Sequence, residues 1–397
     1  VTDLVLTLNA GSSSVKFALF PTVSGRPAVA RGQVEALSTA PRFRARRTGA
    51  AADATVALGE GAIGHAAALA VILGWVDTMF PAEKIVAVGH RIVHGGVAFD
   101  KPVALDDGVL AALDALVPLA PLHQPHNLAG VRAARAAFPR APQVGCFDTA
   151  FHRGQPYAAE AFALPRALFD EGVRRYGFHG LSYEYVARRL APERLAGRVV
   201  IAHLGYGASM CALLGGRPMG STMGFTALDG LPMGTRCGRL DAGVVLHLMT
   251  AKGLDAAAVT DLLYNRSGLR GVSDLSGDMR TLLASDRPEA RQAIELFVAR
   301  IRQELGGLAA VLGGLDALVF TGGIGEHAAP IRAAVVEGLE FLGLTLDAEA
   351  NTAGHFTVSR ADGRVAVMVL PTDEETMIAE HTLAALGAAR TGRTAAA

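Results

Sequence analysis

The chain has 397 residues, 51% of them hydrophobic, with 37 basic and 37 acidic side chains giving a formal net charge of +0. That length exceeds one ordinary core and sets two domains as the expectation. The neutral balance excludes a global field for nucleic acid or an anionic membrane, so any anion site must be built from local arginines and backbone donors.

The opening runs straight into a strand pattern, with no basic n-region and no cleavage site, and sets a cytoplasmic protein as the expectation. Residues 4–8 form a buried strand candidate, Asn9-Ala10-Gly11-Ser12-Ser13-Ser14 a turn, and residues 15–20 a second strand alternating around Lys16. Together they read as a hairpin. Residues 39–53, rich in Arg, Ala and Gly without clear period, are expected to be an exposed excursion with a solvated basic surface. Residues 62–80 read as a helix interrupted by Gly64 and Gly74; the apolar run 66–73 is too short for a membrane span. A strand over 85–88 ends in Gly89-His90-Arg91-Ile92-Val93-His94-Gly95-Gly96. Residues 106–119 are helical, broken by Pro118 and Pro121 before His123-Gln124-Pro125-His126-Asn127. A strand over 143–147 closes on Asp148-Thr149-Ala150-Phe151-His152.

Residues 175–241 are the most informative stretch. Val199, Val200, Ile201 and Ala202 form an apolar strand bounded by His203 and the turn Gly205-Tyr206-Gly207-Ala208-Ser209. VVIAH, LGYGAS and MCALL repeat the strand–turn–strand plan of the opening, which points to an internal duplication. His179 lies upstream between Phe178 and Gly180, and Arg236 downstream in Gly234-Thr235-Arg236. A glycine turn flanked by a histidine and an arginine suggests an anion site, because glycines let backbone N–H groups approach a ligand. Residues 240–263 and 287–312 read as helices, separated by a polar loop over 266–280 that contains Asp278-Met279-Arg280. A strand over 315–320 opens into the loop Thr321-Gly322-Gly323-Ile324-Gly325-Glu326-His327, followed by a helix over 331–342. A last strand over 365–370 ends in Pro371-Thr372-Asp373-Glu374-Glu375 at the start of the final helix, whose tail after Leu386 reads as frayed. The cysteines Cys146, Cys211 and Cys237 are scattered and read as reduced thiols.

Repeatedly, then, an apolar strand ends in a Gly-, Asp-, His- or Arg-bearing loop, the position at which α/β architectures bind ligands. Asn9, Ser12, Ser13, Ser14 and Lys16 suit a phosphate chain or its metal, with an ordinary hairpin turn as the alternative; this is not a Walker loop. Arg91 and Arg236 suit bidentate binding of carboxylate or phosphate, with a structural ion pair as the alternative. Asp148 reads as an orienting carboxylate, a metal ligand, a base or a helix N-cap. His179 reads as a charge stabiliser or a structural histidine. Glu374 begins a helix, where the dipole favours a carboxylate in any case. The absence of Cys–His clusters argues against bound zinc.

In order along essentially the whole chain, NAGSSSVKF, GHRIVHGG, APLHQPHN, FDTAFH, RRYGFHGLS, HLGYGAS, MGFTALDGLPMGTR, GGIGEH and PTDEE resemble the acetate kinases. Their superfamily also holds sugar kinases, actin and heat-shock ATPase domains. The resemblance implies an α/β fold of two duplicated RNase-H-like, actin-like ATPase domains around a central cleft. Residues 1–150, joined by a returning C-terminal helix over 375–397, would form one domain and residues 151–374 the nucleotide-binding other. A homodimer is implied. So is reversible transfer of the ATP γ-phosphoryl group to acetate, giving acetyl phosphate and ADP by direct in-line displacement, with Mg²⁺, or Mn²⁺ as the alternative ion.

Carried over by position, the resemblance makes Arg91 the contact to the substrate carboxylate or phosphoryl group and Asp148 its orienting partner. His179 and Arg236 would stabilise the transition state, and Asn9 and Glu374 attend the metal. Val93, Leu122, Phe178 and Pro232 would line a small acyl pocket. The nucleotide would be lined by Ser12, Lys16, His203, Leu204, Gly205, Tyr206, Gly207, Asp278, Met279, Arg280, Gly323, Ile324, Gly325, Glu326 and His327. There are departures. Tyr206 stands where the family usually has Asn, His327 replaces an Asn, Cys237 a Ser, and Asp373 the Asn of an NEE motif. Arg239-Leu240-Asp241-Ala242 stands where GDIDP-like sequence is expected. Rival readings are a propionate or butyrate kinase, an acetate kinase with another phosphoryl donor such as pyrophosphate, and a non-catalytic actin-like nucleotide-binding protein.

Overall fold

A computed structural model describes residues 3–11, 14–121 and 123–394 of the chain. Thirteen strands are present among them: β1 (Leu4–Ala10), β2 (Ser14–Pro21), β3 (Ala30–Glu35), β4 (Arg42–Arg47), β5 (Ala54–Ala57), β6 (Ile85–Ile92), β7 (Val103–Ala104), β8 (Gln143–Phe147), β9 (Arg198–Leu204), β10 (Ala208–Leu214), β11 (Arg217–Ser221), β12 (Ala317–Thr321) and β13 (Ala366–Val369). They divide into two sheets and the chain into two compact units, Val1–Phe151 with Asp373–Ala397, and His152–Thr372.

The first unit's sheet runs β5-β4-β3-β2-β1-β6-β8-β7, and the second's β11-β10-β9-β12-β13. Within the first, β3-β2-β1-β6-β8 has β1 antiparallel to β2 and parallel to β6, with β6 parallel to β8. The second sheet repeats that order and those directions in β11-β10-β9-β12-β13. Both are the five-stranded RNase-H-like arrangement of the actin-like ATPase fold, so the duplication read from the two Gly/Ser hairpins is structural. In the first copy the central strand β1, and in the second the parallel strand β12, are buried along their length, because helices cover both faces.

The excursion expected over 39–53 is instead sheet: β4 and β5 extend the first sheet beyond β3. Phe43 and Ala45 point into the core while Arg42, Arg44 and Arg46 point out, so the arginines occupy the solvent face of a period-two strand. Phe43 packs with Phe17 and Trp75, which fixes the helix His65–Met79 against this extension. The helix expected over 240–263 is two, Ala242–Thr250 and Ala256–Asn265, each started by an aspartate N-cap. The polar loop expected over 266–280 holds the helix Gly268–Ser273 and the N-cap Asp278 of another, Met279–Leu283. The expected loop after β12 is a short helix, Gly322–His327, and the final helix runs from Glu374 to Thr394, beyond the point where fraying was expected. Among the described residues, no helix is long and apolar enough to cross a membrane.

Candidate functional site

In the first unit, four side chains converge where β1, β6 and β8 end. Arg91 lies one residue before the end of β6 and Asp148 one residue after the end of β8, and those strands are parallel neighbours. Their side chains meet in a bidentate pair: Arg91 Nη2 donates to Asp148 Oδ2 at 2.6 Å and Nε to Oδ1 at 3.0 Å. Arg91 Nη1 also donates to Asn9 Oδ1 at 3.2 Å, and Asn9 Nδ2 donates to Glu374 Oε2 at the same distance. Glu374 Oε2 lies 3.6 Å from Arg91 Nε. Asp148 is almost fully buried. Burial pushes its pKa up, to about 6, with Glu374 adding to the rise and Arg91 opposing it. Burial works against the charge on Arg91, but Asp148 and Glu374 outweigh it and hold the guanidinium above the ordinary arginine value. Lys16 stands opposite Asn9 on β2 with its side chain exposed. Ser12 and Leu122 lie outside the described residues.

The loop that carries Arg91 onward is clamped by two buried polar side chains of the helix Gln124–Ala137, members of the motif APLHQPHN to which no role was assigned. Asn127 accepts from the Val93 N–H at 2.9 Å and donates to the Ala10 carbonyl at 2.6 Å, tying the end of β1 to the segment after β6. Gln124 accepts from the His94 N–H and donates to the His94 carbonyl. The signal was available: polar residues at i and i+3 on a helix face that also carries Leu128 and Val131. A further unpredicted pair, Arg31 with Asp373 at 2.5 Å, braces the segment before Glu374. Asp373, one of the family departures, is thereby half of an ion pair.

In the second unit, His179 adopts the left-handed conformation, φ 57° and ψ 25°, at the start of the helix Gly180–Arg189. A β-carbon-bearing residue there is uncommon and marks a position held by its surroundings. His179 Nδ1 is 2.8 Å from the Ser209 hydroxyl, which also meets the Tyr183 hydroxyl at 2.5 Å; the ring stacks on His203 at 4.4 Å between centroids. Ser209 and Tyr183 are positioning residues that sequence reasoning passed over.

Gly207 explains the turn between β9 and β10. A Cβ built there would lie 3.5 Å from His179 Nε2 and 3.9 Å from Arg236 Nη1, so both side chains border the space a side chain would fill. A Cβ on Gly205 would lie 3.7 Å from His203 Nε2 and 4.0 Å from the Gly323 backbone nitrogen. His179, His203, Gly205, Gly207, Arg236 and Gly323 thus share one neighbourhood. Arg236 Nη1 donates to the Ala227 carbonyl at 3.1 Å.

The remaining predicted residues of this unit are placed as follows. Leu204 is buried in β9, and Phe178 and Pro232 are buried, as is Val93 in the first unit. Asp278 pairs with Arg280 at 2.6 Å on the surface, while Met279 is buried. Ile324 lies in the short helix Gly322–His327, and the ring of His327 at its end is exposed. Glu326 turns its carboxylate back to the N–H groups of Gly322 and Thr372, at 2.9 and 3.3 Å. It therefore shapes the glycine turn rather than projecting from it. Arg332 supports the same turn from inside: its buried guanidinium donates to the carbonyls of Gly325 and Glu326 and to Asn351. Burial lowers its pKa.

Residues 4–380 match the model of the Acetokinase family. The chain is 55% identical over 398 residues to the acetate kinase of Methylocella silvestris, covering 96% of this chain and 98% of that one. Two solved structures are also similar. The acetate kinase of Porphyromonas gingivalis is 38% identical, with a TM-score of 0.85 and coverage of 97% of this chain and 100% of that one. A propionate kinase from Francisella tularensis is 34% identical, with a TM-score of 0.88 and coverage of 96% and 99%. With the family model matched over residues 4–380 and these relatives covered almost completely, the chain belongs to the acetokinase family.

Proposed function

We propose that the chain is an acetate kinase, transferring the γ-phosphoryl group of ATP reversibly to acetate to give acetyl phosphate and ADP. The observation that carries the reading is the buried Arg91–Asp148–Asn9–Glu374 cluster at parallel strand ends, in a chain whose second copy places His179 and Arg236 beside a glycine turn.

Acetate is already a carboxylate at neutral pH, since carboxyl groups titrate near 4, so no general base is required. The chemical obstacle is repulsion between that carboxylate and a polyphosphate. Arg91 binds the carboxylate or the transferring phosphoryl group, and Asp148 fixes its guanidinium. His179 and Arg236 stabilise charge on the phosphoryl group as it passes in line from donor to acceptor, a reaction that depends chiefly on positioning and electrostatics. The backbone N–H groups of Gly205–Gly207 and Gly323–Gly325 receive the phosphates, with His203, Leu204, Tyr206, Glu326 and His327 around them; Ser12, Lys16 and Asp278–Arg280 are assigned to the nucleotide by the family resemblance alone.

Magnesium fits the donors present. Among the described residues, no three or more His, Cys, Asp or Glu side chains are grouped to hold an ion. Glu374 offers a carboxylate and Asn9 an amide oxygen that here accepts from Arg91, a set that suits an ion taking one or two protein ligands and completing its shell with phosphates and water. When bound, Mg²⁺ would neutralise phosphate charge.

The domain assignment of 1–150 with 375–397, and 151–374, is supported by the two compact units. A homodimer is part of the reading. The helix Ala242–Thr250 buries none of its residues and exposes Val244, Leu246 and Met249, beside Leu240, a surface suited to a second copy. A monomeric mass in sedimentation would refute that part. Cys146 and Cys211 are buried thiols outside any disulfide, which supports a cytoplasmic setting.

The test is a coupled assay of acetate, propionate and butyrate with ATP or pyrophosphate. The family resemblance makes a small apolar acyl pocket the expectation, so kcat/KM should be highest for acetate. Each added methylene should cost about 1–3 kcal/mol or less in discrimination. A butyrate optimum, or turnover with pyrophosphate alone, would overturn the assignment.

A further inference from the structure

Tyr206 stands at the tip of the β9–β10 turn, and 62% of it is exposed. Its ring nevertheless has a definite seat. A Cβ built on Gly234 would lie 2.5 Å from Tyr206 Cε2 and 2.7 Å from both Cδ2 and Cζ, so the ring occupies the space that any other residue at 234 would need. The Gly234 N–H also donates to the Tyr206 carbonyl at 2.9 Å. Side chain and backbone of one residue therefore grip the same glycine.

That glycine belongs to the turn that carries Arg236. The Met233 N–H donates to the Arg236 carbonyl at 3.0 Å, which closes the turn on itself. Its other side is seated on the helix Gly268–Ser273: Leu269 and Arg270 donate to the carbonyls of Met233 and Gly234 at 2.8 and 2.9 Å, satisfying amides at the helix start. The turn is thus held between a helix end and an aromatic ring. Freed of the ring, it would keep its backbone hydrogen bonds but lose the packed surface over Gly234.

We infer that Tyr206 is a positioning residue for Arg236, acting through van der Waals closure of the Met233–Arg236 turn. The inference rests on the acetate kinase reading for its kinetic arm, and on geometry alone for its structural arm. It also explains how a bulky ring can stand in a glycine-bounded turn: the ring is laid on Gly234, where close approach is possible because that residue has no side chain. Tyr206 and Gly234 are then a coupled pair, and a change at one alters what is tolerated at the other.

The experiment is a double-mutant cycle with Tyr206→Asn, Gly234→Ala and the double variant, alongside Tyr206→Phe. Tyr206→Asn and Gly234→Ala should each lower kcat by about ten- to a hundredfold, the scale on which misplacing a reacting group by an ångström acts. The double variant should fall no further than the worse single one, because Asn vacates the space the new methyl needs. Tyr206→Phe, which keeps the ring, should retain more kcat than Tyr206→Asn. Amide exchange of residues 232–237 should quicken in Tyr206→Asn and remain slow in Tyr206→Phe. Additive losses, or a loss confined to the KM for ATP with exchange unchanged, would overturn the inference. If the wild-type chain transfers no phosphoryl group to any short acid, the functional reading fails, while the exchange comparison still decides the coupling.

Discussion

At the end of β1 stands Asn9, whereas the equivalent strand of the second copy, β9, ends in His203 and Leu204 before a glycine turn. At the end of β6 stands Arg91; its counterpart β12 ends at Thr321 and gives way to Gly322 and Gly323. The two sheets share an order and a set of directions, yet one offers side-chain charges at its strand ends and the other mainly backbone. The difference teaches how one duplicated scaffold can divide a task. On the proposed reading, a small carboxylate and a transferring phosphoryl group are met by fixed point charges, and Arg91, Asp148 and Glu374 already hold one another in place. A polyphosphate is long and is best met by many N–H groups at close range, which only residues without a Cβ allow. Where the second copy does use polar side chains, His179 and Arg236, it brings them to the border of Gly207.

The comparison is broken most severely by removing a cation from either side. Arg91→Ala and Arg236→Ala should each reduce kcat at saturating substrates by about 2.7–4 kcal/mol, roughly a hundred- to a thousandfold. If only one of them matters, the charges of a single copy suffice and the division of labour is wrong.

Removing the clamp behind the charged cluster should cost less. Asn127→Leu leaves the Val93 N–H and the Ala10 carbonyl without their partner, so the chain should lose about 1–3 kcal/mol in denaturant unfolding, the penalty for stranding a buried polar group. Unchanged stability would mean that water or a shifted backbone replaces Asn127.

The smallest and sharpest effect concerns pH. With its pKa raised to about 6, Asp148 is neutral below that pH and can no longer hold Arg91 by charge. Turnover should therefore fall as pH drops through about 6, and Asp148→Asn should be slow with that limb removed. A limb that persists in the Asn variant would assign it to another group. Because the folded chain holds this proton more tightly than the unfolded one, the contribution of Asp148 to stability falls as pH rises from the ordinary carboxylate range towards 6.

Much of this was legible in one dimension. The paired apolar runs around Gly/Ser turns announced the duplicated hairpins, and the strand-end positions of Arg91 and Asp148 and the glycine contexts of His179 and Arg236 made these four residues candidates, because period and glycine placement are local properties. The arginine-rich segment over 39–53 was misjudged although RFRAR alternates with period two; its strand character depends on pairing with β3, a partner absent from any local window. The aspartate caps at 241 and 255 could have divided the long helical reading over 240–263, but continuous apolar periodicity masked them.

The sequence by itself determined the family, the two-fold repetition and which loops follow buried strands, since each rests on spacing along the chain. Tertiary structure alone decided the partners. Asn9 and Glu374 are 365 residues apart and hydrogen-bonded; Glu326 faces the backbone of Gly322 and Thr372; Tyr206 rests on Gly234. Those are relations between strands and turns that meet only once the sheets have formed, because the direction of a side chain at a strand end is set by the neighbour packed against it.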